Sequence, residues 1–223
     1  MKNALGILLL LLVALTSRAS STNATFTATP GLAVPDANPV GLVSTLTVGS
    51  MTGNTVSLTV NLDITGGFTG DLYAYLVSPT GTVVVLLNRV GMDSSNPFGY
   101  GDAGFNITLD SASGNNIHTY QSGGYTISGG QLVGTWAPDG RTIDPLSAPG
   151  AFDAGPTGST LTSLDGTDPN GVWTLFIADL SPGGESTIVS WGLTVMTVPE
   201  PQTWILFGGS LTAFWLINRK RRK

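Results

Sequence analysis

The side chains of this 223-residue chain that could carry chemistry are mostly aspartates. Asp63 and Asp71 flank a glycine-rich turn, Asp36 stands near the start of the patterned region, and Asp179 closes a late apolar run. Carboxylates at strand ends can converge with backbone carbonyls on Ca²⁺, which takes about six to eight oxygen ligands with little directionality. Calcium held by Asp36, Asp63, Asp71 and Asp179 is therefore one expectation. The other is that these residues cap turns and keep the surface soluble. The sequence contains no EF-hand loop.

The single histidine, His118, follows the polar run Gly114-Asn115-Asn116-Ile117. A catalytic triad needs a base in reach of a nucleophile and an orienting acid. No Gly-x-Ser-x-Gly elbow is present to supply that nucleophile, so His118 is expected at the surface or at a strand edge. One histidine and no cysteine cannot form a usual zinc site. No phosphate-binding Gly-Lys-Ser/Thr loop occurs. The expected set of catalytic residues is empty.

Charge is unevenly placed. Of nine basic residues, Lys2 and Arg18 lie at the start and Arg219, Lys220, Arg221, Arg222 and Lys223 form the last five positions. Only Arg89 and Arg141 remain between, against thirteen of the fourteen acidic residues, a formal charge of about −11. Phosphate contacts require lysine and arginine, so a nucleic-acid partner is excluded.

Both ends read as targeting segments. Lys2, the apolar run Leu5 to Leu15 and the small-residue exit before Ser20 give residues 1–19 the layout of a signal peptide. At the other end Val198-Pro199-Glu200-Pro201 precedes a mostly apolar stretch, Thr203 to Asn218, and then the basic cluster. As a helix that stretch is about 24 Å long, close to a membrane core of roughly 30 Å, and the basic end is expected to stay cytoplasmic.

Between the ends the pattern has period two. Val56, Leu58, Val60, Leu62 and Ile64 alternate with polar residues, as do Phe105, Ile107 and Leu109, then Val172 to Ala178 and Trp191 to Val195. The wholly apolar Val83 to Leu87 predicts a central strand. Ser78-Pro79-Thr80-Gly81, Asp139-Gly140, Asp168-Pro169-Asn170-Gly171 and Ser181-Pro182-Gly183-Gly184 predict the turns. Residues 20–35, rich in Ser, Thr and Ala, read as an exposed lead-in, and about 115–166 as short strands with long loops. Trp173 and Trp191 fall in strand patterns and are expected in the core. Tyr73 and Tyr75 belong either to a second buried face or to an exposed aromatic patch. Many short strands without a helical period predict an all-β antiparallel sandwich.

The tail resembles the PEP-CTERM sorting signal of Gram-negative bacteria, with Pro199, Glu200 and Pro201 as its motif and residues 219–223 as its membrane stop. That resemblance implies processing by signal peptidase and by an exosortase. It further implies a passing inner-membrane anchor through a single transmembrane helix, then release to the cell surface or extracellular matrix. Residues 36–197 resemble the P domain (P/Homo B) of kexin- and furin-like subtilases. The resemblance rests on Asp63-Ile64-Thr65, Gly70-Asp71-Leu72, Ser78 to Thr82, Asn170 to Leu175, Asp179 and Ser190-Trp191-Gly192-Leu193. It departs at Gly66-Gly67, where convertases usually carry a histidine. The family implies a jelly-roll-like β-sandwich that accompanies, and is not, the protease domain.

Residues 198–223 are thus expected as a sorting tail behind the sandwich. The leading functional expectation is a non-catalytic exported surface or matrix protein, in contact with extracellular polysaccharide or a surface protein. An accessory module that docks or stabilises a secreted protease is the alternative, and a hydrolase with an unrecognised site the second alternative.

Overall fold

The computed structural model describes residues 20–199. The expected signal peptide, Glu200, Pro201, the apolar tail and residues 219–223 lie outside them. Among the described residues no helix is long and apolar enough to cross a membrane.

Among the described residues eleven strands form two sheets. The larger holds β1 (Thr22–Ala28), β11 (Ser186–Val198), β4 (Asn54–Gly66), β7 (Gly104–Leu109), β9 (Gln131–Trp136) and β8 (Thr126–Ser128) in that order, with β2 (Leu32–Val34) also on β11. The smaller runs β3 (Leu42–Val48), β10 (Gly171–Asp179), β5 (Leu72–Val77) and β6 (Val83–Asn88). The helical elements among the described residues are short 3-10 turns.

Alternation decides what faces inward. Leu58, Val60, Leu62 and Ile64 of β4 and Phe105, Ile107 and Leu109 of β7 are buried in the same core as Leu72, Ala74 and Leu76 of β5. Each of the larger side chains among these, withdrawn from water, contributes about 1.5–3 kcal/mol. Trp173 and Trp191 are fully buried, and each indole N–H is satisfied, donating to the Pro169 carbonyl at 2.8 Å and to Ser44 Oγ at 2.9 Å. The turn at Ser78–Gly81 closes the β5–β6 hairpin, with Gly81 at φ +87°, a left-handed conformation that a side chain would strain.

Four expectations need correction. The lead-in is not outside the sandwich: its threonines alternate with Ala24, Phe26 and Ala28, which pack on the core, and β1 pairs along β11 from Thr22 to Ala28. The apolar strand β6 is an edge strand. It is buried because the chain after β9 runs along it, the amides of Asp139 and Gly140 donating to the carbonyls of Leu86 and Val85. This covers an edge that would otherwise expose unpaired backbone groups. One strand pair, β7 with β9, is parallel where antiparallel pairing was expected. In β4 the phase slips at Val56, which is exposed while Thr55 turns inward to donate to the Thr167 carbonyl.

Candidate functional site

Four places could carry function: the environment of His118, the aspartate cluster, and the outward faces of the two sheets. His118 sits in a 3-10 turn, Ile117–Ser122, and is 3% exposed. The expectation of a surface histidine fails because the turn folds inward. Nδ1 lies 2.7 Å from Asp139 Oδ2, and Nε2 lies 3.0 Å from the Met92 carbonyl. A carbonyl only accepts, so Nε2 carries a proton. The short Nδ1–Oδ2 contact then needs a second proton between ring and carboxylate. Asp139 also accepts from Arg141 Nη1 at 3.0 Å and from the Asn88 amide at 3.2 Å. The ring lies parallel to Phe152, centroids 6.2 Å apart. A buried ring with both nitrogens engaged is a structural tie between three loops and is closed to a substrate.

The aspartates divide. Asp36, Asp71 and Asp179 meet at one end of the smaller sheet, where β5 begins and β10 ends. Asp63 does not join them: it faces outward from the larger sheet and accepts from Gln131 Nε2 at 2.7 Å. Asp71 and Asp179 are buried. Burial raises the Asp71 carboxyl, while Ser181 and Arg89 pull it back. Burial pushes Asp179 up to about 6, with repulsion from Asp71 and Asp36 adding to it and bonds from Ser181 and Ser186 opposing it. Sequence reasoning missed the cation in this group. The Arg89 guanidinium lies 3.7 Å from Asp71, donates from Nε to the Gly70 carbonyl at 2.7 Å, and from Nη2 to Ser181 Oγ at 2.8 Å. Among the described residues no three carboxylates or imidazoles are arranged to hold a metal ion. Arg89 occupies the Asp71 carboxylate and the Gly70 carbonyl, while Asp36 accepts from the Gly183 amide and Asp179 from Ser181 and Ser186, so the residues present do not fit a resident calcium.

The outward face of the smaller sheet resolves the tyrosine alternatives. Tyr73 and Tyr75 are half-buried there and join Phe176, whose ring stacks on Tyr75 at 4.7 Å and meets Tyr73 edge-on at 6.2 Å. Strand register lays out two rows, Val43–Phe176–Tyr75–Val85 and Thr45–Thr174–Val77–Val83. Neither row holds a charge or an amide. Val43 is 58% and Val83 47% exposed.

The larger sheet's outward face is the opposite. Asn61–Thr108–Thr135 and Asp63–Asn106–Val133 lie in register, and Thr25 bonds Thr194 across β1 and β11 at 3.0 Å. A shallow groove of about 360 Å³ opens there between Asn61, Asp63, Asn106, Thr108, Thr135 and Ser190.

The family model for the proprotein convertase P-domain matches residues 55–195. The chain belongs to the proprotein convertase P-domain family. The match leaves β1, β2 and β3 outside it, although all three complete the P domain's sheets here. A P domain is the non-catalytic accessory domain of a protease. No curated protein sequence matches the chain. Two solved structures are similar: a serine protease of Aeromonas sobria, and the same protease in complex with a chaperone. Each is 15% identical with a TM-score of 0.44, covering 85% of this chain and 29% of the other. The chain therefore spans less than a third of the length of those proteins.

Proposed function

We propose that this protein is an exported, non-catalytic P-domain module that docks on a secreted protease and stabilises it. The observation that carries the reading is the aromatic and valine-lined face of the smaller sheet. A domain with a formal charge near −11 has acidic residues enough to solvate every surface. It nonetheless keeps Tyr73, Tyr75 and Phe176 together with exposed valines on one flat face. Contiguous exposed apolar area of this kind marks protein interfaces, and aromatic residues concentrate at their centres. The stacked geometry of Tyr75 and Phe176 turns their rings against each other, which suits a protein surface better than a sugar ring. The family supports the same reading, since P domains accompany proteases.

The test is to add the purified protein to a secreted subtilisin-like serine protease from the same culture medium and follow thermal inactivation. The protease should last several-fold longer with the wild type and gain nothing from Phe176→Asp. An equal half-life with and without the wild type would sink the docking reading.

Delivery is proposed through the tail: Pro199 follows β11 directly, and Glu200 and Pro201 complete the motif an exosortase would recognise. Intact-mass measurement of protein from the medium should show both ends removed, with residues 219–223 gone. Full-length chain in the inner membrane of a host with an exosortase would leave only a plain anchor. A second reading, contact with extracellular polysaccharide, is favoured by the amide- and hydroxyl-lined groove on the larger sheet. Retardation of the protein in dextran- or cellulose-containing gels, lost in Asn106→Ala, would support it; unaltered mobility would remove it.

A further inference from the structure

Arg89 stands where a cation would be expected. Its guanidinium meets the Asp71 carboxylate, the Gly70 carbonyl and the Ser181 hydroxyl, with Asp179 close enough to act on its charge. These are the oxygen types that ligate calcium. The side chain is 7% exposed, and burial lowers its proton affinity while Asp71 and Asp179 restore it. The backbone bends to place it: Arg89 has φ +50°, a region that non-glycine residues seldom occupy. Its amide still donates to the Leu72 carbonyl at 3.0 Å, so the turn is anchored on β5. Gly70 is fitted as closely, because a Cβ there would come within 2.5 Å of the Phe98 carbonyl oxygen. Asp36 closes the group from the loop before β3, its carboxylate accepting from the Gly183 amide at 3.1 Å.

We propose that Arg89 is the permanent counter-ion of the Asp36–Asp71–Asp179 cluster, and that its guanidinium fills the place a divalent cation would have to take. A guanidinium cannot be lost to a chelator or to dilution. The domain would thus hold its carboxylates together in any calcium concentration outside the cell. This inference is independent of which partner the domain docks on.

Two measurements test it on the full chain. Equilibrium dialysis of the wild type against micromolar ⁴⁵Ca²⁺ should show no stoichiometric binding, and its melting temperature should be equal in calcium and in EGTA at matched ionic strength. One calcium bound per wild-type chain would overturn the proposal, whether or not any variant folds. Arg89→Met keeps the apolar stem and removes the charge. Breaking a buried ion pair in a domain of this size should lower the melting temperature by about 10 °C. Millimolar calcium should restore part of that loss, while equal ionic strength of sodium should not. An R89M protein that melts like the wild type, or that calcium does not rescue, would show that Arg89 is not the cluster's cation.

Discussion

The two arginines between the ends of the chain are each set against buried aspartate, and the two settings differ in how fully the negative charge is answered. Around Asp139, a single carboxylate receives the His118 ring, the Arg141 guanidinium and the Asn88 amide. Around Arg89, one guanidinium answers for Asp71 and Asp179 with Asp36 nearby. The first cluster has more donors than charge and ties distant loops together. In the second, burial displaces the Asp71 and Asp179 carboxyls upward, and repulsion from neighbouring aspartates adds to it. A buried aspartate therefore does opposite things in one domain: it is a clasp where donors converge and a source of strain where they are too few.

The comparison is most sharply tested by Asp139→Ala. It removes the shared acceptor and leaves a buried imidazole nitrogen and a backbone amide unpaired, which should cost about 3–5 kcal/mol. Calorimetry should show a large drop in melting temperature with the β6 edge the first part to exchange its amides. If Asp139→Ala melted within a degree or two of the wild type, the clasp would be incidental. His118→Ala comes next, at about 2–3 kcal/mol, because Asp139 keeps two of its donors while the Met92 carbonyl loses one. Chemical denaturation of that variant measures it, and a loss below about 0.5 kcal/mol would return His118 to the status of a surface residue.

How much of this was legible in the sequence follows from how local each signal is. Period-two alternation is local, and it placed β4, β7, β10 and β11 together with the buried Trp173 and Trp191. The same signal existed in Ala24, Phe26 and Ala28, but threonine-rich alternation with small residues reads as an exposed arm unless the partner strand is known. The Val83–Leu87 run showed burial without showing its cause: the cover comes from Asp139 and Gly140, some fifty residues on. The convergence of Asp36, Asp71 and Asp179 at strand ends was foreseeable from turn positions. Asp63 was misjudged because β4 continues three residues past it, to Gly66, which leaves its side chain on an outer face. Arg89 was invisible as a partner, since its place depends on a left-handed backbone angle at a residue that gives no sign of one.

The smallest of the three effects concerns Asp179, and its sign separates the clusters. The carboxyl has an ordinary value of 3.8 and is pushed up to about 6 in the fold. Between those two values the folded state binds more protons than the unfolded state. Stability contributed through this group must then fall as pH rises from about 4 to about 6, and stay at the lower level above that. Asp179→Asn removes the titration while keeping the shape, so its melting temperature relative to wild type should improve by a few degrees on going from pH 4.5 to pH 7.5. Asparagine can still accept the Ser181 amide, at 3.3 Å in the native structure, so the cap on the end of β10 is retained. Asp139→Asn offers less compensation, because an amide nitrogen in place of Oδ2 would meet the Asn88 amide and one in place of Oδ1 would meet the Arg141 guanidinium. Parallel melting curves for Asp179→Asn and wild type across that pH range would mean that Arg89 neutralises the cluster fully. The two aspartate settings would then be alike in charge and would differ only in geometry.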